Sequence, residues 1–197
     1  MRLIDTHSHL FLEEFSEDLP QVIERARSAG ITHIFMPNID STTIDSMLSV
    51  CNTYNDYCFP MIGLHPTSVN ADYEKELEIV ARELKSFNKY IAIGEVGMDL
   101  YWDKTFLKEQ QIALDKQINW ALEYDLPVVI HCRDAFGYIY NVLEPYKNTS
   151  LKGVFHSFTG TDDEAARILE FSGFLIGING VVTFKKSRLP EVLTKIP

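Results

Sequence analysis

The 197 residues are 46% hydrophobic and 12% aromatic, enough apolar side chain to bury one substantial core, which excludes a disordered or low-complexity chain. A net charge of −10 excludes a broad basic surface that would hold nucleic acid through many phosphate contacts, yet it allows a small site made positive by bound cations. The start of the chain meets charge at Arg2 and Asp5, the apolar run Leu126–Ile130 is far too short to cross a bilayer, and Cys51, Cys58 and Cys132 form no C-x-x-C pair, so a cytoplasmic protein with reduced thiols and no membrane association is expected.

Short apolar segments alternate with amphipathic ones from end to end. Strands are expected near Leu3–Asp5, His33–Met36, Phe59–Gly63, Ile91–Gly94, Val128–Ile130, Gly153–Phe155 and Phe174–Ile178. Helices are expected between them, at Leu19–Ala29, Ser41–Cys51, Tyr73–Phe87, Thr105–Tyr124, Ala135–Tyr146 and Asp162–Phe171. Gly30 reads as the stop of the first helix, Thr105 as the cap of the longest, and Thr161 as the cap of the last. No Gly/Ser/Pro tract divides the chain, so residues 1–197 are read as one domain. This rhythm is that of βα units wound around a parallel sheet.

Potential metal ligands sit at the C-terminal ends of these strands: His7 and His9 after the first, Glu95 after the fourth, His131 after the fifth and His156 after the sixth. In a parallel α/β barrel those ends converge on one face, so residues distant in sequence can meet there. Residues two apart on an extended segment point the same way, which lets His7 and His9 grip one cation while Ser8 points elsewhere. A carboxylate such as Glu95 can bridge two cations, and His131 and His156 can complete the second site; the chemistry these ligands support is metal-assisted hydrolysis. Each residue alone has a plainer reading, Glu95 as a salt-bridging carboxylate and either histidine as a hydrogen-bonded core residue. Their coincidence at one end of four strands favours the ligand reading. His33 opens its strand and so belongs to the opposite end. His65, in Gly63-Leu64-His65-Pro66, can touch substrate or stabilise its turn, and Arg133 can clamp phosphate or pair with Asp99 or Asp134. Cys132 alternates away from His131 and reads as packing, and Ile176–Gly180 lacks the spacing of a phosphate loop.

In order along the chain stand Ile4-Asp5-Thr6-His7-Ser8-His9, Gly63-Leu64-His65-Pro66, Gly94-Glu95-Val96-Gly97-Met98-Asp99, Pro127-Val128-Val129-Ile130-His131 and His156-Ser157-Phe158-Thr159-Gly160. This set resembles the TatD family of metal-dependent hydrolases, within the amidohydrolase-like superfamily, over essentially the whole chain. The resemblance implies a (β/α)8 TIM barrel, two divalent ions (zinc, manganese or magnesium) and deoxyribonuclease activity, often 3′-5′ on single-stranded DNA. It implies that His7 and His9 bind one metal, that Glu95 bridges and is catalytic, and that His131 and His156 hold the other. The family's Asp at the end of its eighth strand, in a context like Glu-Thr-Asp-x-Pro, has no counterpart here, because Thr161-Asp162 precedes a polar helix. A complete barrel runs to about 250 residues. The expectation is therefore a barrel truncated after about seven βα units, lacking the eighth strand and helix, with two unpaired sheet edges and impaired catalysis. Two other readings stay open: an amidohydrolase or esterase acting on a small molecule or aminoacyl ester, and a non-catalytic metal-binding protein.

Overall fold

A computed structural model describes residues 2–86 and 89–196. Its strands are β1 (Leu3–Asp5), β2 (Ile31–Pro37), β3 (Cys58–Met61), β4 (Ile93–Asp99), β5 (Val128–Arg133), β6 (Gly153–Phe155) and β7 (Phe174–Ile176). They alternate with α1 (Leu19–Ser28), α2 (Ile44–Thr53), α3 (Tyr73–Ser86), α4 (Leu107–Glu123), α5 (Phe136–Leu143), α6 (Asp162–Leu169) and α7 (Leu189–Leu193). The strands lie parallel in chain order, as β1-β2-β3 and β4-β5-β6-β7, and a parallel bridge from Ile62 to Ile93 joins the two groups. That winding is the one expected of an α/β barrel. Among the described residues β1 and β7 are each paired on one side only, and Ile4 and Leu175 on them are 52% and 69% exposed.

The elements form for local reasons. Pro20 sits in the first turn of α1, where its missing N–H costs nothing, and Gly30 follows the helix at φ 88°. Thr161 and Glu164 make a reciprocal capping box at the start of α6. Thr105 does not cap α4, contrary to expectation. Asp103 accepts both its N–H and its hydroxyl, so Thr105 closes a turn ahead of the helix, and Phe106 takes the cap position. Phe87, expected to end α3, lies outside the described residues. The short α7 was not anticipated; it docks Leu189 and Val192 into the core.

β4 is buried along its whole length, as a strand covered on both faces must be. It begins and ends later than expected, so Glu95 stands inside the strand, next to a register irregularity between Ile93 and Val96 where pairing with β5 shifts. Pairing resumes with Val96 opposite Ile130 and continues with Gly97 opposite His131. Gly97 has φ +142°, and a Cβ there would lie 2.0 Å from the His131 carbonyl oxygen. Only glycine lets β4 approach β5 this closely at the level of His131. Gly97→Ala is expected to destabilise the chain by roughly 2 kcal/mol or more. Gly137→Ala, in open space within α5, is expected to stabilise it by up to about 1 kcal/mol. Urea unfolding of the two variants checks the opposite signs, and a Gly97→Ala variant as stable as the parent would contradict this account of the strand contact.

Candidate metal centre

His7 and His9 after β1, Glu95 within β4, His131 within β5 and His156 after β6 come together, and the loop after β3 adds His65. The Glu95 carboxylate is 3% exposed and sits at the middle. Its Oε2 lies 2.9 Å from His7 Nε2, 3.8 Å from His9 Nε2 and 3.7 Å from His65 Nε2, while Oε1 lies 3.0 Å from His131 Nδ1. The His156 ring stacks on His7 with centroids 3.5 Å apart and planes 13° from parallel. His33 is elsewhere, against Phe59 and the Thr32 hydroxyl.

Electrostatics set the protonation states. Burial alone would raise the Glu95 pKa, but hydrogen bonding with His131 and His7 and the neighbouring imidazoles outweigh it and hold the carboxyl far below its ordinary range. Burial pushes His65 and His156 down to about 4, opposed by the Glu95 charge in both; His7 lowers His156 further, and His131 lowers His65 further. Burial and His7 also lower His9. These rings are neutral near pH 7, and each carries one nitrogen lone pair.

A divalent ion suits this arrangement. His7 Nε2 and His9 Nε2 are 3.2 Å apart and both turn toward one carboxylate oxygen, while His7 Nδ1 is buried without a hydrogen-bond partner among the described residues. Two imidazoles and a carboxylate converging on one point form a donor set for a cation of intermediate softness. Candidate ligand atoms fall into two groups that share Glu95, one with His7 and His9 and one with His65 and His131. Hydrogen bonding separates the members of the second group. The Thr67 N–H donates to His65 Nδ1 at 3.2 Å, so the single proton of neutral His65 rides on Nε2, the nitrogen facing Glu95. That nitrogen is a donor and offers a cation no lone pair. His131 is arranged the other way. Its Nε2 meets Asp99 Oδ2 at 2.9 Å, which leaves Nδ1 on the Glu95 side.

Asp99 is the functional residue that strand-end reasoning did not single out. Its burial, four residues beyond Glu95, was the available signal, because a fully buried strand carrying a second carboxylate needs a partner for it. Two glutamines of α4 were also hidden, since a glutamine on an apolar helix face reads as an interruption. Gln110 accepts from the Asp99 N–H at 2.9 Å and donates to its carbonyl at 3.2 Å. Gln117 does the same to Leu64, next to His65, at 2.7 and 3.3 Å. Asn38, after β2, donates to the carbonyls of Asp40 and Gly63. Arg133 makes no ion pair with Asp99 or Asp134; its guanidinium lies 3.8 Å over the Tyr101 ring. Beside His156 a cavity of about 630 Å³ opens, lined in part by Cys132, Phe136, Phe158 and Arg167.

A family model described as TatD related DNase matches residues 4–197. The chain is 35% identical over 196 residues to an uncharacterized metal-dependent hydrolase, YabD, of Bacillus subtilis (strain 168), covering 99% of this chain and 76% of that one. It is 30% identical over 197 residues to a protein of Pantoea ananatis (strain LMG 20103) named 3′-5′ ssDNA/RNA exonuclease TatD, covering 99% of this chain and 75% of the relative. The crystal structure of YjjV, a TatD homolog from Escherichia coli K12, superimposes with a TM-score of 0.91 at 31% identity, over 100% of this chain and 75% of that one.

The His131 geometry has a direct check in the metal-free protein. Burial works against charge on His131, but Glu95 and Asp99 outweigh it and raise its pKa above the ordinary histidine value. Asp99→Asn removes one of these two charges and is expected to lower the His131 midpoint in an NMR titration of the imidazole. A midpoint that does not move would show that Asp99 does not govern this ring.

Proposed function

The chain belongs to the TatD family of metal-dependent hydrolases, and from that premise we propose that it hydrolyses phosphodiester bonds in single-stranded DNA, from the 3′ end, at a centre of two divalent ions sharing Glu95. The observation that carries this reading is the buried Glu95 carboxylate with histidine nitrogens directed at both of its oxygens. Nuclease relatives such as the Pantoea protein supply the substrate class. His7 and His9 would hold one ion, His131 Nδ1 and His156 the other. His156 is brought to the cluster by its stacking on His7, and burial keeps its ring neutral. Zinc or manganese suits this mixed nitrogen and oxygen set better than magnesium does.

Bound ions there would supply Lewis-acid polarisation of the scissile phosphate and a nucleophilic water near neutral pH. The protein's own groups do the rest. Asp99 fixes the tautomer and orientation of His131, in the manner of a carboxylate behind a ligating histidine. His65, with its proton on Nε2 and its ring anchored by Thr67, is a donor aimed at the centre, placed to meet a phosphate oxygen. Arg133 holds a full positive charge at the rim. The aromatic-lined cavity next to His156 gives a reacting group room beside the ligands.

Metal stoichiometry measured by mass spectrometry, together with cleavage of a labelled single-stranded oligonucleotide, separates these roles. His156→Ala is expected to lose one ion per chain and cleavage with it. His65→Ala should retain both ions and lose about 100-fold in kcat/KM, as expected for removing one preorganised donor. A His156→Ala protein that kept both ions would remove His156 from the ligand set. Parent protein that turned over aryl esters but no oligonucleotide would move the substrate to the small esters that the acidic surface also allows.

A further inference from the structure

Two aromatic side chains stand exposed where most large hydrophobic groups are buried. Tyr101 is 50% and Trp102 78% exposed, with their rings packed edge to face at 4.6 Å. They are tied to the centre by a single carboxylate. Asp99 accepts from His131 through Oδ2 and from the Tyr101 N–H through Oδ1 at 3.1 Å, and the neighbouring Leu100 N–H donates to the Arg133 carbonyl at 2.9 Å. The aromatic pair is therefore held in fixed relation to His131. Arg133 completes the group, with its guanidinium 3.8 Å over Tyr101 and 5.8 Å from Trp102. A cation–π contact uses none of the guanidinium's N–H donors as hydrogen bonds to a carboxylate, and no carboxylate among the described residues pairs with this one. Between Trp102 and the Pro66–Thr67 turn that follows His65 lies a cleft of about 160 Å³, reaching down to Asp99 and Phe106.

A solvated tryptophan loses apolar hydration when a flat partner covers it, and an arginine with a free fork lacks an anion. A nucleotide whose base is unpaired offers both, a π-face and a phosphate at one nucleotide's separation. We propose that Tyr101, Trp102 and Arg133 form a nucleobase-stacking subsite, in which an unpaired base next to the scissile phosphate lies on Trp102 in the cleft and Arg133 takes a flanking phosphate. This rests on the single-stranded nucleic acid reading above and adds the strand selectivity to it. Bases in a duplex are already stacked and paired and must be extruded to reach Trp102, whereas those of a single strand are free to settle there.

The test compares the parent with Trp102→Ala and Trp102→Phe on a single-stranded oligonucleotide, and on the same oligonucleotide carrying abasic sites at its two 3′-terminal positions. Trp102 is exposed, so both variants should melt at the parent's temperature. Trp102→Ala is expected to raise KM for the intact strand by about tenfold or more with little change in kcat, and to leave the abasic strand unaffected; Trp102→Phe should keep most of the affinity. An unchanged KM on the intact strand, or an equal loss on both strands, would overturn the stacking subsite while leaving the nuclease reading in place. A parent that cleaves neither strand would bring down the nuclease reading and the subsite with it.

Discussion

A carboxylate removed from water sets the terms for the rest of this molecule. Placing the Glu95 charge at 3% exposure costs several kcal/mol of hydration unless cationic or hydrogen-bonding groups replace the water. The chain answers with histidine nitrogens arriving from three other strand ends and one loop. Burial drives His9, His65 and His156 neutral, and neutral imidazoles around an anion add no positive charge to balance it. The same burial that makes the site unfavourable as bare protein makes it receptive to divalent cations. Folding and ion binding draw on one set of interactions.

The frame around that carboxylate is also polar and buried. Among the described residues the buried polar set is Asn38, Glu95, Asp99, Gln110 and Gln117. Every one of them belongs to the centre or hydrogen-bonds the strand ends and loops that carry it. Gln110 and Gln117, seven apart and so on one face of α4, each grip both backbone groups of one strand-end residue, as a neighbouring strand would. A helix that covers the sheet thereby fixes the end of β4 at Asp99 and the loop bearing His65. The positive φ angles at Asp134 and Ser157, each just beyond a site strand, put strained backbone at the same end. Apolar packing holds the rest of the barrel wall, and the polar contacts are concentrated where position has to be accurate.

Much of this was legible in the sequence, and what was missed was missed for identifiable reasons. Strand and helix alternation follows from apolar periodicity, and the meeting of His7, His9, Glu95, His131 and His156 follows from placing each at the same end of a parallel strand. Pairwise hydrogen bonding left no such trace. Nothing in the spacing of Asp99 says that it turns toward His131, nor does the pattern of α4 say that its two buried glutamines replace a strand edge. Arg133 was expected to clamp phosphate or to pair with a carboxylate, and stacking on Tyr101 was not among the alternatives because a cation–π contact depends on a loop conformation that periodicity does not encode. The role of His65 likewise turns on one backbone N–H from Thr67, which decides the tautomer and with it whether the ring donates or ligates.

The acidity of the chain bears on how a polyanionic substrate could be held. A net charge of −10 offers a polyanion little general attraction, and the attraction the proposed function supplies is confined to the candidate metal centre and to Arg133 beside it. Long-range repulsion then favours short contacts with the end of a strand over contacts along its length. Affinity in such a site has to come from forces that act at close range, ion coordination of a phosphate and stacking of a base, both of which survive an unfavourable overall field because they operate within a Debye length. The exposed Tyr101–Trp102 pair proposed as a stacking subsite answers this constraint: it would read the face of a base, which carries no charge, where a basic surface would read the backbone.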